Sequence, residues 1–157
     1  MNILGRAAIH PFFFYTGKVA GYLVWGSWLL SVSGAVDFSV RSVPVLQQLS
    51  FLTFGIGLLV LMISLVNLGK STRLGLPDEQ TELETGGMYR FSRNPMYVAF
   101  HLFTLSAILY TPAPVVAITG IYSTLVYHYI IKAEEAFLEQ RFGAPYVDYR
   151  RKVRRYL

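Results

Sequence analysis

The chain has no cysteine among its 157 residues. That excludes disulfides, thiolate metal sites and a cysteine nucleophile. Charge is also scarce. Asp, Glu, Lys and Arg together make up 15% of the residues against 54% hydrophobic ones, and mean hydropathy is +0.43. A soluble domain this small has too much surface to stay so apolar, whereas lipid accepts apolar faces. No Ser-His-Asp arrangement is present, and no His/Asp/Glu spacing builds a metal site. Gly55-Ile56-Gly57 falls inside an apolar run, so it is not a phosphate loop. There is no internal repeat and no low-complexity tract. The first apolar run lacks an Ala-x-Ala-type cleavage site and reads as a membrane span rather than a signal peptide.

What is present is a set of long apolar segments. The length predicts one domain over 1–157, with two N-terminal spans in 1–68 and a second half over 69–157. The fold class is all-α: a polytopic membrane protein with about four transmembrane helices, an ordered cytosolic connector and an amphipathic C-terminal segment. Span one covers residues 12–36 and contains Lys18, which can snorkel to the headgroups. Gly17 and Gly21 either let another helix approach closely or are two ordinary membrane glycines. Span two covers residues 46–68, long enough for a hydrocarbon core of about 30 Å. Residues 69–94 form a polar connector punctuated by Leu76-Pro77-Asp78 and Gly86-Gly87. Span three, residues 96–110, and span four, residues 115–131 running on toward Arg141, are joined by Thr111-Pro112-Ala113-Pro114. So short a link predicts an antiparallel hairpin. Phe142-Gly143-Ala144-Pro145 stops the last span. In residues 146–156, Tyr146, Tyr149, Val153 and Tyr156 recur at three- and four-residue spacing, which predicts a short helix lying on the interface.

The formal charge is +5, and Arg141, Arg150, Arg151, Lys152, Arg154 and Arg155 concentrate it near the C-terminus. Beside membrane spans, the expected partner of such a tail is anionic lipid of the cytoplasmic leaflet rather than nucleic acid. Lys70, Arg73, Arg90 and Arg93 make the connector basic, while Arg41 alone marks the first return loop. The bias predicts a multi-pass membrane protein with both termini and the connector cytoplasmic.

Two charged clusters stand at the ends of the hairpin. In Arg93-Asn94-Pro95-Met96-Tyr97, Pro95 suits the first turn of a helix and Asn94 its N-cap. The open N–H groups can bind a carboxylate, or the motif is simply a capped membrane helix. Glu134-Glu135 is a carboxylate pair on an otherwise apolar helix and needs partners, or it is solvated just beyond the membrane. Tyr127 and Glu134 share one face; His128 and Glu135 share the next. Arg90, Arg93 or Lys132 can pair with one glutamate while the other meets a ligand. His101, one turn after Tyr97, reads as a buried neutral histidine bonded across helices.

Thr81-Glu82-Leu83, Gly87-x-Tyr89, Arg93-Asn94-Pro95-x-Tyr97, Glu134-Glu135, Phe142-Gly143 and Tyr146-x-x-Tyr149 follow one another around this hairpin. In that combination the chain resembles the isoprenylcysteine carboxyl methyltransferase and phospholipid methyltransferase superfamily, in its bacterial-type members. The likeness covers residues 69–157. It implies an S-adenosyl-L-methionine-dependent methyltransferase acting on a lipophilic acceptor from the bilayer, with the cofactor entering from the cytosol. Carried over by position, the cofactor contacts are Thr81, Glu82, Leu83, Glu84, Tyr89, Asn94, Pro95, Met96, Tyr97 and Glu134. Glu135 and Arg93 are supports or catalytic groups, and His128 is a candidate base if the acceptor is an amine or alcohol. Eukaryotic members carry His where this chain has Asn94. They carry an acceptor-linked Arg where it has Ile130, so their acceptor site does not transfer. The competing reading is a non-catalytic lipid-binding or assembly protein that keeps the fold. A small transporter would need facing polar groups at mid-bilayer, and the first two spans offer almost none.

Overall fold

A computed structural model describes residues 9–36, 43–68 and 83–157. Thr81 and Glu82, and most of the connector, lie outside the described residues. The described chain is all-helical: α1 (Pro11–Val32), α2 (Pro44–Leu68), a 3-10 turn (Gly87–Arg90), α3 (Pro95–Tyr110), α4 (Pro114–Phe142) and α5 (Ala144–Lys152). Proline stands in the first turn of every α-helix, at Pro11, Pro44, Pro95, Pro114 and Pro145. Its fixed φ suits that position and its missing N–H would have no helical partner there. Span one is shorter than the sequence predicts. The chain turns at Ser33-Gly34, where Ala35 and Val36 donate to the carbonyl of Leu30 and close the helix end. At the other junction, Gly143 adopts φ +59°, ψ −129° between α4 and α5, a conformation only glycine takes without strain.

The helices alternate in direction. At one end, Asn67 Oδ1 accepts a hydrogen bond from the Met88 N–H (2.8 Å), and Arg93 meets Glu135. At the other, Thr111 Oγ1 approaches Ser31 Oγ at 3.4 Å. The packing does not follow chain order: α2 lies along α3, while α1 lies mainly along α4. Gly17 and Gly21 explain the second pairing. A Cβ on Gly17 would collide with Val126, and one on Gly21 would sit 2.9 Å from Ser123 Oγ. The missing side chains therefore let α4 approach closely enough for Ser123 Oγ to donate to the Gly17 carbonyl at 2.9 Å.

α2 has an inside-out pattern. Its buried residues are Ser50, Gly57 and Ser64, seven apart, whereas Leu52, Ile56, Leu59, Ile63 and Val66 are exposed. Small residues inside and large apolar ones outside fit helices packed in lipid. Ser50 is fully buried, receives Trp28 Nε1 at 2.8 Å, and donates to the Ser106 carbonyl at 2.8 Å, tying α1, α2 and α3 together. By length and composition, α2 and α4 are long and apolar enough to cross a membrane; α3 is a shorter apolar helix of 16 residues.

The C-terminal segment forms the short helix that its spacing predicts, but protein covers its tyrosine face. The apolar side of α5 does not face outward. Tyr146 and Tyr149 are buried in a cluster with Tyr89, and Leu83, Leu138, Phe142 and Val153 pack around it. Burying those rings against protein leaves the basic side of α5 exposed, including Arg150, Arg151 and Lys152.

Candidate functional site

The hairpin brings both charged motifs together at the end shared with the connector. Pro95 opens α3, so Asn94 occupies the N-cap position, but its side chain does not cap the helix. Asn94 Nδ2 donates to Glu135 Oε1 at 2.8 Å and to the Arg155 carbonyl at 3.2 Å. The bond from its amide N–H to a carboxylate is charge-assisted, stronger than the neutral bond that its Oδ1 would accept as a cap. The predicted cap is thus corrected: Asn94 ties α3 to α4 and the tail.

Glu135, on the last third of α4, is the hub. Arg93 meets it in bidentate fashion, with Nε 3.1 Å from Oε1 and Nη2 2.9 and 3.0 Å from the two oxygens. Both side chains are nearly enclosed, at 7% and 6% exposure. Arg155 adds a second cation, with Nε and Nη2 each 2.9 Å from Oε2. Of the cations predicted for the glutamates, Arg93 is engaged, whereas Arg90 and Lys132 are exposed. Arg155 was missed, because a basic tail reads as a lipid-binding run. Arg93 Nη1 goes on to the carbonyls of Val153 (2.7 Å) and Arg150 (3.3 Å), and its backbone N–H donates to the Arg154 carbonyl at 2.9 Å. Ser92 Oγ donates to the Arg155 carbonyl at 3.2 Å. Residues 153–156 are thereby strapped across the end of the hairpin. The strap carries Tyr156, whose hydroxyl lies 2.8 Å from His128 Nδ1. Burial raises the Tyr156 phenol, so it stays protonated at neutral pH.

Glu134 is differently placed. The Tyr97 hydroxyl reaches both of its oxygens, at 2.9 and 3.0 Å. The Tyr97 ring packs at 5.8 Å from Phe100 and 5.7 Å from Tyr127, so the carboxylate sits at the rim of an aromatic group. Lys18 of α1 is its long-range counter-charge. Its ammonium lies 4.1 Å from the centre of the Phe14 ring, so the lysine does snorkel back toward the helix N-terminus. Glu134 lies within its electrostatic reach without a salt bridge between them, which the sequence could have hinted at only through the isolation of that one charge in span one.

The remaining residues divide as follows. Met96 follows Pro95 in the first turn of α3, where the first helical N–H bond is Val98 to the Asn94 carbonyl. The N–H groups of Met96 and Tyr97 precede that bond and have no intrahelical acceptor. Leu83 and Tyr89 join the Tyr146–Tyr149 cluster, and the Tyr149 hydroxyl donates to the Tyr89 carbonyl at 2.6 Å. Burial and the neighbouring Glu84 push the Tyr89 phenol up to about 12. Glu84 Oε1 accepts the Gly86 N–H at 2.6 Å. A cavity of about 650 Å³ opens between this connector end and α5, lined by Leu83, Thr85, Arg90, Asp148, Tyr149 and Lys152 among others. His101 is corrected: its Nδ1 is buried but has no hydrogen-bond partner among the described residues, and its ring rests against Tyr127 and Tyr156. Ile130 is fully buried with Phe14, Val126 and Tyr127. No group of three or more His, Asp or Glu capable of holding a metal occurs among the described residues.

A family model described as phospholipid methyltransferase matches residues 46–145. The chain belongs to the phospholipid methyltransferase family. No curated protein and no solved structure matches it. The family is one of membrane methyltransferases, which agrees with the inside-out pattern of α2. Within this family member, the matched residues take in Arg93 to Tyr97 and both glutamates. They leave out α1 with Lys18, and the strap with Arg155 and Tyr156.

Proposed function

We propose that this protein uses S-adenosyl-L-methionine to methylate a lipophilic acceptor held at the cytosolic edge of a bilayer. The observation that carries this is the Tyr97–Glu134 pair beside the open end of α3. The donor set suits the cofactor. Glu134 keeps acceptor capacity for an ammonium or ribose hydroxyl beyond what Tyr97 fills. The Met96 and Tyr97 N–H groups and the positive end of α3 suit a carboxylate. The aromatic rings of Tyr97, Phe100 and Tyr127 suit a sulfonium. Thr81, Glu82, Leu83, Glu84 and Tyr89 would supply the connector side. When bound, the cofactor supplies an activated methyl group. The protein's task is then to align the acceptor and exclude water. Arg93, Asn94 and Glu135 are positioning residues in this reading, because they are occupied with one another and the strap. His128, oriented by Tyr156, is the group able to take a proton from an amine or alcohol acceptor.

Replacing Glu134 by Gln removes a charge-assisted contact worth about 1.5–3 kcal/mol, so affinity for S-adenosylhomocysteine should fall roughly ten- to hundred-fold. Tyr97→Ala should weaken it in the same direction. Calorimetry in detergent measures both. Wild-type affinity in the two variants, or no binding by the wild-type protein, would refute the proposal.

The reading extends to topology: α1 to α4 all cross the bilayer, with the connector, the tail and both termini cytoplasmic. The basic connector and tail motivate this orientation. The absence of natural cysteine allows single-cysteine labelling. Cysteine at Asp148 should react from the cytoplasmic side only, and cysteine at Ser33 from the opposite side only. The reverse pattern would overturn the orientation.

A further inference from the structure

We propose that Lys18 is an acceptor-binding residue, contributed by α1, that holds an anionic group of the lipid substrate beside Glu134. This rests on the methyltransferase reading above and assigns a residue outside the family-matched segment.

Lys18 is a partly exposed ammonium on an otherwise apolar helix. Its ammonium stands over the face of the Phe14 ring, 4.1 Å from its centre, and no hydrogen bond or salt bridge joins it to another of the described residues. Glu134 is within electrostatic reach but keeps both oxygens on Tyr97. Among the described residues, its N–H donors therefore meet only an aromatic face. Such a charge is costly in lipid unless an anion joins it.

The direction of approach points to the acceptor. Lys18, Tyr22 and Trp25 follow at i, i+4 and i+7, so they share one flank of α1. Trp25 at the far end of that flank contacts Phe100 and Phe103 of α3 at 5.1 and 5.8 Å. Toward the cytosolic end the flank is open: Tyr15, Val19 and Tyr22 around Lys18 are all exposed. The exposed flank leaves the ammonium open to approach sideways, from where lipid would lie. An anion drawn to Lys18 brings the acceptor to the side of Glu134 and Tyr97. The chemistry it recognises is a singly anionic oxygen group, found either as a lipid phosphodiester or as the carboxylate of a lipid-modified amino acid.

The test is calorimetry in a maltoside detergent with three probes: dihexanoyl phosphatidylethanolamine, N-acetyl-S-farnesylcysteine and S-adenosylhomocysteine. Wild-type protein should bind one of the two amphiphiles, the zwitterionic phosphodiester or the carboxylate, and which one identifies the source of the anionic group. Lys18→Gln should weaken that binding at least tenfold, Lys18→Arg should keep it within about threefold, and both should bind S-adenosylhomocysteine as wild type does. The proposal is overturned if the wild type binds neither amphiphile. It is overturned if Lys18→Gln binds them within twofold of wild type. It is also overturned if Lys18→Gln loses S-adenosylhomocysteine in parallel, which would make Lys18 a cofactor residue or a support for Glu134. Should Lys18→Gln be misfolded, Lys18→Arg and Lys18→Met decide by the same criterion. Failure of the wild type to bind S-adenosylhomocysteine would sink the methyltransferase reading and leave the anion result standing by itself.

Discussion

Glu135→Ala is expected to destabilise the protein by about 3–5 kcal/mol, because it leaves a buried guanidinium without its counter-charge. Arg93 is nearly enclosed and makes three contacts with that carboxylate. Removal would strand its charge, and would also release Asn94 Nδ2 and Arg155. A loss of this size is a large fraction of the 5–15 kcal/mol typical of a folded domain. Glu135→Gln keeps the volume and one acceptor and should cost less. The double variant Arg93→Met/Glu135→Leu should recover part of the loss, since it removes both charges together. Thermal unfolding in detergent, followed by tryptophan fluorescence, ranks the four proteins. A Glu135→Ala midpoint equal to that of the wild type would show that the pair is not holding the hairpin.

Stopping the chain after Lys152 should be nearly as damaging. The deletion removes Val153, Arg154, Arg155, Tyr156 and Leu157. Arg93 then loses two acceptors, the carbonyls of Val153 and Arg154; Ser92 and Asn94 lose the Arg155 carbonyl; Glu135 loses a cation. With at least two buried donors left unsatisfied, at about 1–3 kcal/mol each, the cost should exceed about 2 kcal/mol. It should be concentrated at the junction of the 3-10 turn and α3. Hydrogen exchange checks this directly: amides of residues 92–98 should lose protection while those of α2 keep theirs. Unchanged protection at residues 92–98 would mean that the strap is incidental.

Much of the helical framework was legible because its signals are local. Apolar runs gave α2 to α4 to within a few residues, and the Thr111-Pro112-Ala113-Pro114 turn forced the hairpin. The neighbourhood of Arg93, Asn94 and Glu135 was also foreseeable, since a hairpin brings its two ends together. Four features were not. Asn94 turned from the helix end to Glu135 because a charged acceptor lay within reach, and that acceptor is some forty residues away. Arg155 looked like one basic residue in a basic run, and only the fold of residues 153–156 over the hairpin singles it out. Lys18 faces Glu134 because α1 packs against α4 rather than its neighbour α2, and helix periodicity does not encode partner choice. The α5 helix and its tyrosine face were foreseen but not what covers that face: an amphipathic pattern says that one face is buried, not whether lipid or protein buries it.

The pairing of α1 with α4 has a consequence for biosynthesis. A ribosome adding about 5–20 residues per second needs roughly 6–23 s to travel from Lys18 to Glu134. Until then α1 has neither Val126 nor Ser123 in its glycine groove, and Lys18 has no counter-charge. The nascent N-terminal helix must wait in the membrane with an exposed groove and an isolated cation. It can take its native neighbour only when α4 has emerged, more than a hundred residues later, which makes this docking step one of high sequence separation.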